Sequence, residues 1–167
     1  MANVKISELA ELTTPAADDK MVIVDASEAL DADKTKYITV SNLRAGPTFL
    51  TTPLTSTAWD GDSFSTTPKT KIDLSAVFGA PAGIKAVLVT CTLRDSGAAS
   101  TDSWIILSTN GDDNYSGMGA ACPPVNDRYG RYSIIVPCDE NGDIYYRCEA
   151  SGSNTLDVYL EIYGYWL

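Results

Sequence analysis

Hydrophobic and polar residues alternate most regularly at the end of the chain. Leu156, Val158, Leu160 and Ile162 share one parity, and Asp157, Tyr159, Glu161 and Tyr163 share the other. A period of two in β-branched and aromatic residues predicts a strand with one buried and one wetter face. So apolar a strand must be tied into a sheet, since a loose one is an aggregating edge. It is therefore expected to be a central strand, on which the earlier strands assemble.

The same alternation predicts strands over 54–59, 69–74, 84–94, 103–109, 131–137 and 143–149, with a further short one near 63–66. Gly, Pro, Asn and Asp fill the gaps. Asn141-Gly142 between two alternating runs is a hairpin signal, and 151–154 reads as a second turn. Residues 75–83 suit a short helical or irregular connection. The span 110–129, with Gly117, Gly119, Pro123 and Pro124, reads as a long loop. Seven or eight strands with turns every eight to twelve residues predict an all-β fold, an antiparallel sandwich or jelly roll, over residues 54–167.

Residues 1–45 form a separate unit. Ile6, Leu9 and Leu12 are spaced for one or two helical turns with an apolar side, begun by Ser7 and ended before Pro15. Short strands follow at 20–25, which includes Val22 and Val24, and at 36–40. A helical turn closes the unit at 42–44. So small a unit buries too little core to stand alone, and is expected to order by docking. The Gly-, Pro- and Thr-containing stretch 46–53 reads as a linker, although Phe49 and Leu50 are unusually apolar for one.

Composition narrows the chemistry. The 167-residue chain is 44% hydrophobic, carries a net charge of −10 and has no histidine. An acidic chain repels phosphate backbones, so nucleic acid is not an expected partner. Without histidine, Ser-His-Asp and Cys-His constellations and histidine metal sites are excluded. No signal-peptide or bilayer-length apolar run is present, so synthesis in a cytosol and no membrane association are expected. Cys91, Cys138 and Cys148 fall on apolar strand faces, as free core thiols do, and with Cys122 they make no metal-spaced pair. Asp112, Asp113, Asp127, Asp139 and Glu140 are the carboxylates available to a glycosidase, but each sits where a solvated turn residue is ordinary. Asp139, Asn141 and Asp143 alternate as in a calcium loop, yet Ala150 stands where a bidentate Glu is needed. No cofactor, metal or enzymatic activity is expected. Tyr145, Tyr159 and Tyr163 share an outward parity, and are expected to form a stripe across adjacent strands that serves as a subunit contact or a ligand face.

One stretch carries a resemblance. The opening Lys5-Ile6-Ser7-Glu8-Leu9, the turn Thr13-Thr14-Pro15, the strand Met21-Val22-Ile23-Val24, the strand Thr35-Lys36-Tyr37-Ile38-Thr39-Val40 and the closing Asn42-Leu43 resemble an N-terminal attachment module. Such modules belong to tailed-bacteriophage virion proteins, among them capsid decoration or cement proteins and head or tail fibres. The likeness covers the first quarter of the chain, and departs from the pattern in the longer acidic stretch Leu30-Asp31-Ala32-Asp33. The ending Gly164-Tyr165-Trp166 is loosely similar to those of the jelly-roll heads of such proteins. The resemblance implies a homotrimer made in the host cytoplasm and built into the virion. Its arm would grip the major capsid protein or another virion protein through Ile6, Leu9, Leu12, Val22 and Val24. It implies a decoration protein that stabilises the head or, alternatively, a short head or tail fibre that binds a host-surface glycan.

Overall fold

The computed structural model describes residues 20–24, 35–39, 46–64, 66–98, 103–112 and 114–167, the first two segments as backbone only. The chain divides into two compact units, Met1–Gly46 and Pro47–Leu167.

In the first unit, β1 (Lys20–Val24) pairs antiparallel with β2 (Thr35–Thr39), Val22 opposite Tyr37 and Val24 opposite Thr35. They match the short strands expected at 20–25 and 36–40 to within a residue. Ile6, Leu9 and Leu12 lie outside the described residues, as do the side chains of Val22 and Val24.

The second unit is an antiparallel β-sandwich. Its strands are β3 (Thr48–Leu54), β4 (Asp60–Ser63), β5 (Thr66–Ile72), β6 (Ala86–Asp95), β7 (Trp104–Ser108), β8 (Met118–Ala121), β9 (Gly130–Pro137), β10 (Ile144–Glu149) and β11 (Leu156–Trp166). One sheet runs β5-β10-β7-β8. The other runs β3-β11-β6-β9, with β4 also on β11. The pairs β4 with β11, β5 with β10, β6 with β9 and β7 with β8 are nested along the chain. That nesting is the jelly-roll arrangement.

Alternation decides which faces meet. Val87, Val89, Cys91 and Leu93 of β6, with Leu156, Val158, Leu160 and Ile162 of β11, face Ile105 and Leu107 of β7 and Ile144 and Cys148 of β10. All are at most 2% exposed. As expected, β11 is central, bonded to β6 on one side and to β3 and β4 on the other. The short helix α1 (Leu74–Phe78) adds Leu74 and Phe78 to the core. Its N-cap Asp73 accepts from Ala76 N at 2.9 Å. The chain turns at 139–143, with Asp139 Oδ1 accepting from the amides of Asn141 and Asp143 at 2.9 Å, but neither this turn nor the one at 151–154 closes the expected hairpin, because each joins strands of opposite sheets.

Three expectations need correction. Residues 46–53 are no linker, because most of them form β3, with Phe49 paired to Gly164 and Leu54 to Ile162. The Thr-rich sequence suits an edge strand as well as a linker, and only pairing with β11 tells them apart. Residues 55–59 are a turn rather than a strand, a 3-10 segment at Thr57–Trp59 that is capped by the Ser56 hydroxyl. The span 110–129 is not all loop, because it contains β8, whose Gly- and Ala-rich sequence carries no alternation.

A bulge in β11 re-aims its end. Ile162 opposes Val89 while Gly164 opposes Leu88, so Tyr163 is the extra residue. Beyond it the faces exchange, and Tyr165 packs on the core. At Gly164 a Cβ would lie 2.8 Å from the Thr48 carbonyl oxygen and 3.3 Å from the Phe49 ring. Gly164→Ala is expected to push β3 away and cost about 2 kcal/mol. Hydrogen exchange should show faster exchange confined to β3 and the end of β11.

The thiols behave as core residues. Cys91 and Cys148 are fully buried, Cys122 is nearly so and Cys138 is half-buried. Burial pushes Cys91 up to about 12 and Cys122 to about 11, the latter with a smaller contribution from Asp95. Burial, and then Asp139, pushes Cys138 to about 12. Thiolate is the reactive form. At pH 7.5 a thiol reagent is expected to label the native protein slowly, and all four cysteines rapidly once denaturant unfolds it.

Candidate functional site

A concavity on the sandwich comes from the way two strands share one edge of β11. Leu54 of β3 pairs at Ile162, and Asp60 of β4 pairs at Tyr159. The chain between them leaves the sheet, since Ser56 caps a 3-10 turn instead of continuing the strand. The edge of β11 at Leu160 and Glu161 is thereby left open, and a pocket of 420 Å³ forms over it.

Each wall has its own support. At the back is Trp59, 5% exposed, stacked on Phe64 with centroids 4.5 Å apart and planes 5° from parallel. The edge of Tyr146 meets Trp59 at 4.7 Å. Asp60, the hydroxyl residues Thr55 and Ser56, and the tyrosines Tyr159 and Tyr129 also line the pocket. Gly61 (φ 113°) leaves room for the Tyr159 ring, because a Cβ there would come within 2.5 Å of its Cζ. Burial and then the neighbouring Tyr129 raise the Tyr159 phenol above its ordinary pKa. Tyr129, 54% exposed, lies 5.6 Å from the guanidinium of Arg94. Arg94 is itself held by Asp157 on the adjacent strand. Glu161 at the rim accepts from Arg131 at 2.9 Å. The pocket thus combines aromatic surface, hydroxyls and two carboxylates.

The loop that carries Tyr129 is tied down by Asp95. Its carbonyl accepts from Asp127 N at 3.0 Å, where Asp127 turns left-handed (φ 59°). The Asp95 carboxylate is fully buried and has four donors. These are the hydroxyls of Ser103 and Ser151, each at 2.5 Å, and the amides of Ser151 and Gly97 at 2.9 and 2.8 Å. Burial alone would raise its pKa. The four donors outweigh it and hold the carboxyl well below the usual carboxylate range.

The tyrosines expected to form one stripe are not together. Tyr145 is on β10 in one sheet, while Tyr159 and Tyr163 are on β11 in the other. Residues 145 and 159 belong to consecutive strands, but β10 and β11 lie in opposite sheets. Tyr145 reaches instead toward Asp139 at 3.4 Å, and Tyr163 is half-buried outside the pocket. Only Tyr159 of the three enters the site. Among the loop carboxylates, Asp139 caps its turn, and neither it nor Glu140 faces the pocket. No group of three acidic or cysteine side chains suited to a metal occurs among the described residues.

The sequence reading missed Trp59, Asp60 and Glu161 as pocket residues. It also missed a second aromatic group on the outer face of the smaller sheet. There the Arg147 guanidinium sits 4.6 Å from the Tyr115 ring and 5.9 Å from Trp104, beside a 330 Å³ depression floored by Gly119 and Ala121.

Fold and site together define an antiparallel β-sandwich protein with an aromatic, acid-rimmed pocket on its larger sheet. No protein-family model matches the chain, and no curated protein matches it.

Proposed function

We propose that this chain is a structural virion protein of a tailed bacteriophage. It acts as a homotrimeric decoration protein whose N-terminal unit attaches to the head and stabilises it. One observation carries the reading. The attachment-module pattern over residues 5–43 falls in a unit separate from the sandwich, and its two predicted strands coincide with the paired β1 and β2. The jelly roll supports it as a compact acidic head. Ile6, Leu9, Leu12, Val22 and Val24 supply the apolar side that docks on the major capsid protein or another virion protein. The short-fibre reading shares this assembly, and the aromatic pocket favours it as the second choice.

The test uses the full-length chain and particles purified without it. Wild type should co-sediment with the particles, and a variant with Ile6, Leu9 and Leu12 all changed to Asp should bind at least about tenfold less. Light scattering should give about 54 kDa, three times the 17.9 kDa chain. A monomer that ignores particles, or equal binding by the variant, would refute the proposal.

A further inference from the structure

We infer that the 420 Å³ pocket over the open edge of β11 binds the ring of a neutral hexopyranose. The inference concerns the pocket's ligand alone, and does not depend on where the chain sits in a particle.

Size comes first, since the volume falls within the range of small-molecule sites. The character of the walls narrows the class. A pyranose has an apolar face of C–H groups and an equator of hydroxyls. Tyr129 and Tyr159 offer ring surface for such a face, with few rotatable bonds to immobilise. The hydroxyls need acceptors, and Asp60 and Glu161 accept strongly because they are charged. Thr55, Ser56 and Thr92 can either donate or accept, which suits a ligand whose hydroxyls do both.

The walls are also fixed beforehand. Tyr159 lies against Gly61, Tyr129 beside Arg94, and Glu161 is oriented by Arg131. Pre-set groups lower the ordering cost that makes sugar binding weak. Other ligand classes fit less well. Asp60 and the Arg131-paired Glu161, on a chain of net charge −10, favour neutral sugars over phosphates and acidic sugars. An apolar ligand would strip water from those carboxylates without replacing their hydrogen bonds.

The experiment is a titration of the full-length, 15N-labelled protein. The probes are methyl glucoside, methyl galactoside, methyl mannoside and N-acetylglucosamine, with glucuronate as the acidic counterpart, each up to about 100 mM. At least one neutral sugar should give saturable shifts centred on Thr92, Tyr129, Tyr159 and Glu161. Glucuronate should bind more weakly than the glucoside. Tyr129→Ala and Glu161→Gln should each weaken binding about tenfold while the rest of the spectrum is retained. Tyr129 is exposed and Glu161 lies at the rim, so neither change threatens the core. Three results would overturn the inference: no saturable binding by any neutral sugar, saturable shifts that map to Trp104 and Tyr115 instead, or glucuronate binding as tightly as the glucoside.

Discussion

Asp95→Ala should lower the stability of the sandwich by about 4 kcal/mol, among the largest effects of any single substitution. The carboxylate is fully buried at the end of β6, and it is the common acceptor for three separate segments. These are the Gly97 turn, Ser103 at the entry to β7, and Ser151 in the turn between β10 and β11. Removing it leaves the buried Ser103 hydroxyl without its acceptor and unties the more exposed Ser151 and Gly97 donors, and an unsatisfied buried donor costs more than a satisfied one contributes. Thermal unfolding should show a midpoint about 10 °C lower. Asp95→Asn keeps the shape but loses the charge, and offers one acceptor oxygen in place of two. It should recover only part of the loss.

The same residue sets an acid limb. Its carboxyl pKa is lowered on folding, so the stability it contributes is fully present above the unfolded value of about 3.9. It is lost as pH falls below that value toward the folded one. The gap between wild type and Asp95→Asn should therefore be constant from pH 5 to 7 and narrow below pH 4. A gap that widened in acid would contradict this assignment.

Trp59→Ala is the second large effect, expected at about 4 kcal/mol. Trp59 ends a strand-breaking turn, yet it is 5% exposed and joins both sheets through Phe64 and Tyr146. Truncation removes an indole from between two rings, and the turn at 57–59 cannot collapse to fill the space. Trp59→Phe should recover roughly half, because one ring still stacks on Phe64. The double change with Phe64→Ala should cost clearly less than the two single changes added together, since the rings share one contact. Denaturant titration of the four proteins checks this. Strict additivity would mean the stack contributes nothing of its own.

Much of the fold could be read from alternation alone. The core of β6, β7, β10 and β11 follows parity almost residue by residue, and the Asn-Gly turn was marked by its own chemistry. Where local pattern is silent, the reading failed. Gly- and Ala-rich β8 has no periodicity, and β3 is Thr-rich and, among the described strands, pairs only with β11, far away in the sequence. Tyr145 and Tyr159 were misplaced together, because parity gives the face of a strand but not its sheet.

The site was less legible than the fold. Its pocket arises from a gap between two strands that share one edge, which no short stretch of sequence encodes. One signal was available. Asp95 continues the inward parity of Val87, Val89, Cys91 and Leu93, and a charged residue at a core position must be satisfied by its neighbours. That parity marks it as a hub.

The central claim is that this is a protein of the virion, carried on the head. Gold-labelled antibody against the chain, viewed on intact phage particles by electron microscopy, tests it most directly. Label distributed over the head is the predicted result. Label confined to the tail would contradict the decoration reading, and particles without label would contradict the virion assignment altogether.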